Sequence, residues 1–211
     1  MIVTKIEQIT KTKYRIELDG EFAFVLYKGE LSRFCIQENE EMEAQTFQTI
    51  KTEILLKRAK LRAMHLLNDM DRTEAGLREK LRQNLYPGDV IDQAIEYVKS
   101  FGYINDYRYA SHFIESRRRS KSRREIQAML TQRGISKDVL EVALEEAYAE
   151  DGDQTAILAI LQKKRFEKAL GRPEEMRKIY AYLARKGFRY EEVRRVIQEY
   201  SEDREWMEGE E

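Results

Sequence analysis

Eight residues, Arg117 to Arg124, read RRRSKSRR, and six of them are basic. Like charges this close repel one another, and the crowding becomes tolerable when an anion lies against it. The chemistry offered is therefore anion binding by Arg117, Arg118, Arg119, Lys121, Arg123 and Arg124, with phosphate or an acidic protein groove as the target. The competing reading is a solvated loop, partly neutralised by the acidic stretch Asp138 to Asp153 with its Glu141, Glu145, Glu146 and Glu150. Smaller basic groups occur at Lys57, Arg58, Lys60 and Arg62, and at Lys163, Lys164, Arg165 and Lys168. Each of these alone reads as an ordinary exposed helix face; stacked in register with the main cluster, they would extend it along one side.

Other chemistry is poorly represented. His65 and His112 lack cysteine partners and metal-ligand spacing, and neither a glycine-rich phosphate loop nor a nucleophile elbow occurs. No catalysis, cofactor or metal is expected. The single cysteine, Cys35, rules out an internal disulfide and fits a reducing compartment. Its setting, SRFCIQ, predicts a packed thiol rather than a nucleophile.

The basic cluster stands in a nearly neutral chain. Against 38 Lys and Arg there are 39 Asp and Glu in 211 residues, a formal net charge of −1. Charged residues make up 36% and hydrophobic residues 42%, a balance that suits an extended helical protein with much solvated surface. No run approaches the roughly 18 apolar residues of a membrane helix, and the N-terminus lacks the apolar run of a signal peptide, so a cytoplasmic protein without membrane contact is expected.

Two kinds of element position the basic residues. Up to about residue 36 the pattern is that of strands: YRIELDGEFAFVLYKGEL alternates apolar and polar residues on either side of Asp19-Gly20, a strong hairpin signal. Ile16 and Leu18 fall before the turn and Phe22, Phe24 and Leu26 after it; Ile2, Ile6 and Ile9 predict a preceding strand. A hairpin alone is marginal, so this small antiparallel sheet must pack on something.

From about Glu40 to Tyr200 the period is helical and repeats itself. LRQNLYPGDVIDQAI from Leu81, LTQRGISKDVLEVAL from Leu130 and LARKGFRYEEVRRVI from Leu183 overlay without gaps. Apolar residues coincide at Tyr86, Ile135 and Phe188, at Ile91, Leu140 and Val193, and at Ile95, Leu144 and Ile197. With a further helix before each unit, the repeat is about three helices, and the anchors lie 49 and 53 residues apart. Units of this size gain stability by stacking.

The expected fold is mostly α: a tandem array of three three-helix repeats, elongated and curved, with a small N-terminal antiparallel sheet. Boundaries are placed at 1–39 for the sheet, 40–101 for the first repeat with a leading helix, 102–150 and 151–200 for the others, and 201–211 for an acidic tail that Trp206 could dock. Thr73 or Asp71, Asn105 or Asp106, and Ser136 are candidate N-caps, Pro173 suits a first helical position, and Gly134 and Gly187 suit left-handed helix ends. Gly76 falls within a predicted helix, at a cost of about 1 kcal/mol relative to alanine. Tyr109, Ala110, Phe113 and Ile114 share one helix face, spacing that reads as core rather than as base-stacking groups.

LTQRGISKDVLEVAL also has the form of a helix-turn-helix. Such a motif lays its second helix in a DNA groove, yet here that helix carries Asp138, Glu141, Glu145 and Glu146, and its first-repeat counterpart carries Asp89, Asp92 and Glu96. Only the third, with Arg194 and Arg195, has a suitable charge.

INDYRYASHFIESR, joined to LTQRGI, LARKGF and the threefold organisation, resembles the RecX family, regulators of the bacterial recombinase RecA. The resemblance spans about residues 58 to 200 and rests most on Asn105-Asp106, Ala110 and Arg117 with the aromatic residues around them, then the basic stretch and Gly134. Leu85 stands where the other units have Gly134 and Gly187, and KSRREI lacks the glycine the family commonly has after the lysine. The resemblance implies a non-enzymatic, monomeric protein that lies in the groove of the RecA filament and limits its growth and activity in recombination, DNA repair and the SOS response. It also implies binding to single- and double-stranded DNA without sequence specificity. The contacts would be the six residues of the cluster with Lys57, Arg58, Arg62, Lys163, Lys164 and Lys168. The residues themselves leave two alternatives open: a plain nucleic-acid-binding module and an interaction scaffold without DNA affinity.

Overall fold

The computed structural model of the chain describes residues 1–169 and 172–208, with side chains at all of these except 167, 168 and 202–208. Contacts divide it into two compact units, Met1–Asn105 and Asp106–Glu211.

The first unit opens with strands β1 (Val3–Gln8), β2 (Lys13–Leu18) and β3 (Glu21–Tyr27), which form an antiparallel sheet in the order β1-β2-β3. Asp19 and Gly20 both have positive φ, 50° and 87°, as a two-residue hairpin turn whose twist matches its strands requires. Ile16 pairs with Phe24 and Glu17 with Phe22, so an irregularity falls at Ala23. It turns Phe22 off the core, where the Arg15 guanidinium covers its ring at 4.8 Å, while Ile16, Leu18, Phe24 and Leu26 stay buried. In β1 the buried residue is Val3; the expected Ile2 and Ile9 are exposed. Ile2 instead bridges to Glu41, and Asn39 N–H and Val3 N–H exchange bonds with Val3 and Glu40 carbonyls, covering that edge.

Cys35 departs from expectation. It is exposed, with φ 51°, because the chain leaves α1 (Lys28–Arg33) in a tight turn that directs the neighbouring Phe34 and Ile36 to the core instead. The helix α2 (Ala44–Thr49) then runs through a π-helical stretch, Ile50–Leu56, into α3 (Lys57–Asp69), followed by α4 (Glu74–Gln83) and α5 (Gly88–Ser100). One core joins Val3, Ile16, Phe24 and Leu26 of the sheet to Ile50, Ala63, Leu77, Leu81, Ile91 and Ile95 of these helices. The sheet is thus stabilised by the face of the first repeat.

The second unit holds α6 (Asp106–Glu115), α7 (Arg123–Gln132) and α8 (Lys137–Ala147), then α9 (Gln154–Lys163), a short 3-10 turn at Phe166–Ala169, α10 (Pro173–Arg185) and α11 (Tyr190–Glu208). Residues Ala110 to Tyr148 and Ala156 to Ile197 supply two further cores, one for each repeat. α11 continues beyond Tyr200, where the apolar period stops, because the residues through Glu208 include no proline or glycine. The side chain of Trp206 lies outside the described residues.

The three repeats share one joint. Helices α4, α7 and α10 each end with the N–H of Tyr86, Ile135 or Phe188 donating to the carbonyl of Leu81, Leu130 or Leu183, at 3.3, 3.2 and 3.2 Å. One residue earlier, Leu85, Gly134 and Gly187 N–H donate to Arg82, Thr131 and Ala184 carbonyls, which completes the Schellman arrangement. Gly134 and Gly187 meet its left-handed requirement at φ 80° and 90°; Leu85 adopts φ 61° without glycine's freedom.

Of the capping residues, Thr73 accepts from Gly76 N–H at 3.0 Å, which also accounts for the glycine, since a Cβ there would lie 3.1 Å from that hydroxyl. Ser136 occupies the N-cap of α8 but makes no side-chain cap bond.

Candidate cationic interface

The basic cluster occupies the link between α6 and α7. Its anchor is Ser122, fully buried: its Oγ accepts from Glu125 N–H at 3.1 Å, capping α7, and donates to the Lys186 carbonyl of the third repeat at 2.7 Å. Beside it the Asp153 carboxylate accepts from Arg123 N–H at 2.7 Å. A Cβ on Gly187 would meet Ser122 Oγ at 2.9 Å, so glycine permits this close approach. The cluster therefore stands on a fixed joint between the second and third repeats.

That support divides the six side chains. Arg118 turns inward: it donates to the Ala147 carbonyl and lies 3.7 Å from Glu115 and 3.6 Å from Asp151. Lys121 pairs with Glu125 one turn on. Arg117 lies over the Phe113 ring at 4.0 Å, and Arg133 lies over the same ring at 4.5 Å. Arg119, Arg123 and Arg124 are exposed; Arg119 and Arg124 have no ion pair among the described residues, and Arg123 reaches across Tyr148 at 5.8 Å. Of the acidic stretch Asp138 to Asp153 in the competing reading, Asp151 pairs with Arg118 and Asp153 engages Arg123, while Glu141, Glu145 and Glu150 make no ion pair with the cluster among the described residues; the other partners are Glu115 and Glu125.

Arg123 and Arg124 line one wall of a cavity of about 600 Å3 whose other wall includes Asp153, Gly187, Arg189 and Glu192. Burial raises the Asp153 carboxyl to about 6, with Glu192 adding to the rise and the Arg123 N–H and the charges of Arg123 and Arg189 opposing it. Burial also pushes the Tyr148 hydroxyl upward.

The smaller groups are likewise unequal. In the first unit Arg58 is held by Glu30, by the Val25 carbonyl at 3.3 Å and by the Tyr27 ring at 4.5 Å, and Lys57 pairs with Glu53. Lys60 covers Tyr97 at 4.4 Å. Arg62 is exposed beside a cavity of about 360 Å3. In the second unit Lys163 is exposed and Lys164 lies over Tyr182 at 4.4 Å. The Lys168 side chain lies outside the described residues. No helix among the described residues is long and apolar enough to cross a membrane.

Family models describe three parts of the chain: residues 59–97 match the first three-helix domain of RecX, 105–144 the second and 151–197 the third. The regulatory protein RecX of Caldanaerobacter subterraneus subsp. tengcongensis is 30% identical over 93% of this chain and 98% of its own. That of Clostridium beijerinckii is also 30% identical, over 92% and 93%. Among solved structures, a regulatory protein RecX superposes with a TM-score of 0.60 at 23% identity, covering 93% of this chain and 98% of that one. RecX from Lactobacillus salivarius gives 0.62 at 24% identity over 68% and 95%. Three consecutive domain matches and full-length relatives agree with the threefold joint, and the chain belongs to the RecX family of regulatory proteins.

Proposed function

We propose that the chain is a cytoplasmic, monomeric, non-enzymatic modulator that binds the RecA filament on DNA and limits its growth and activities in recombination and repair. Family membership supports RecA as the partner. The observation that carries the mechanism is the set of exposed guanidiniums of Arg119, Arg123 and Arg124, held on the buried Ser122 joint. A backbone fixed this way lowers the ordering cost of meeting an anionic surface, and phosphate contacts of this kind position a protein without reading sequence. Arg117, Arg118 and Lys121 hold the link in shape. Further contacts are proposed on each unit separately: Arg62 on the first, with Lys57 and Arg58 as lesser members, and Lys163 and Lys164 on the second, with Lys168 as a lesser member. The working division of the chain is 1–39, 40–101, 102–150, 151–200 and 201–211.

Binding to RecA with and without DNA tests this reading. A modulator of the filament binds RecA on single-stranded DNA more tightly than either component. Equal binding to bare DNA would make the protein a plain nucleic-acid module, and binding to RecA alone, undiminished without DNA, would make it a scaffold.

A further inference from the structure

The fold assembles a second cationic surface outside the Arg117 to Arg124 cluster. A groove of about 630 Å3 lies between the end of α9 and one face of α10, bordered by Lys164, Arg165, Arg172, Lys178 and Arg185. Among its described side chains the one carboxylate, Glu175, pairs with Lys178 at 2.7 Å, which holds that carboxyl below its ordinary value. Arg165, Arg172 and Arg185 are exposed and have no ion pair among the described residues.

Helix dipoles explain only part of this set. Lys164, Arg165 and Arg185 lie at the C-terminal ends of α9 and α10, where cations are favourable. Arg172 is the N-cap of α10, the end at which a cation is unfavourable, and attraction to Glu175 in the first turn offsets part of that cost. On α10 the lining residues 172, 175, 178, 179, 182 and 185 recur every three or four positions. They therefore form one stripe along about 20 Å of helix. Between the charges the groove exposes parts of Ile160, Ile179 and Tyr182.

The same cation position recurs in the second repeat. Ala110, Phe113 and Ile114 on α6 and Arg117 just past its end have the spacing of Ile157, Ile160 and Leu161 on α9 and its C-cap Lys164, and both cations end over an aromatic ring, Phe113 at 4.0 Å and Tyr182 at 4.4 Å. In the third repeat the ring is flanked by four more cations.

We infer that this groove is a separate binding site for a single-stranded nucleic acid, with phosphates along the five cations and bases against Tyr182 and Ile179. A row of charges with an aromatic and apolar floor suits a strand whose bases are unstacked; a duplex hides those faces. The inference rests on the DNA contact proposed above and extends it to residues beyond the cluster.

The test uses the full chain, a fluorescein-labelled thymidine oligonucleotide and a salt titration of anisotropy. R172Q/K178Q/R185Q alters exposed residues and keeps the helical spectrum. It binds about tenfold more weakly at moderate salt, and its slope of log affinity against log salt is shallower by about 2, three contacts at roughly 0.7 each. Y182L binds about fivefold more weakly with the slope unchanged, as loss of one stacked base requires. Retention of parental affinity and slope by the triple variant, while R119Q/R123Q/R124Q loses both, would overturn the groove and leave the proposed function standing. Failure of the parent to bind the oligonucleotide at all would overturn the groove and leave the proposed function to the RecA-binding test. Loss of a glutamate-rich peptide but not the oligonucleotide by the triple variant would reassign the groove to an acidic protein and overturn the nucleic-acid assignment.

Discussion

Six basic residues within eight positions have different physical roles once their side chains are placed. Arg118 and Arg119 are neighbours in sequence, yet one is bonded to the Ala147 carbonyl and the other is exposed. Arg118→Gln is expected to lower unfolding stability by about 1 kcal/mol, since it removes a charge-assisted bond from a partly buried carbonyl. Arg119→Gln should change it by less than about 0.5 kcal/mol. Urea denaturation of the two variants checks the pair; equal losses would mean the inward and outward assignments are wrong. Residue type and proximity were legible in the sequence. Which of the six turn inward was not, because that depends on where Ala147 and Asp151 arrive from the far end of α8. Cys35 shows the same limit: its apolar neighbours reach the core by way of a left-handed turn that leaves the thiol outside.

Among the elements, the repeated helix ends were the most readable feature, because glycine and the next apolar residue mark a Schellman end directly. Leu85 was the exception, and its φ of 61° shows that the first repeat keeps the same hydrogen bonds at a steric cost. Leu85→Gly should therefore raise stability by about 1 kcal/mol, relief of left-handed strain exceeding the added chain entropy. Gly187→Ala should lower it by more than about 1 kcal/mol, through the same strain and the contact with Ser122 Oγ. Thermal unfolding of both variants tests whether the two ends are equivalent.

The joint itself was invisible in sequence: Ser122, Asp153 and Lys186 come from separate segments and carry no shared motif. Its pH dependence follows from Asp153. The folded-state value, about 6, lies above the ordinary 3.8, so the fold favours the protonated carboxyl. Its contribution to stability is greatest below the unfolded value and declines as pH rises from about 4 through 6. The difference corresponds to at most roughly 3 kcal/mol. Asp153→Asn, which keeps an acceptor for Arg123 N–H, should be more stable than the parent at pH 7.5, with the advantage shrinking toward pH 4.5. An advantage independent of pH would show that the carboxylate is not held against its charge.

At the scale of the whole molecule, the sequence carried the fold class because a three-helix unit repeated without gaps leaves few other arrangements. It carried the main cationic stretch because that stretch is continuous. The groove of the third repeat was not legible, since Arg172, Lys178 and Arg185 are scattered in sequence and meet only on one face of α10. RecA's DNA-dependent ATP hydrolysis, measured with increasing amounts of the parent chain and of R119Q/R123Q/R124Q, shows whether these three arginines make the filament contact. The parent should suppress hydrolysis, and the variant, with its helical spectrum intact, should require at least about tenfold more protein for the same effect, the shortfall narrowing as salt rises. Suppression by the variant at parental concentrations and with parental salt dependence would contradict the claim that these three arginines form the contact.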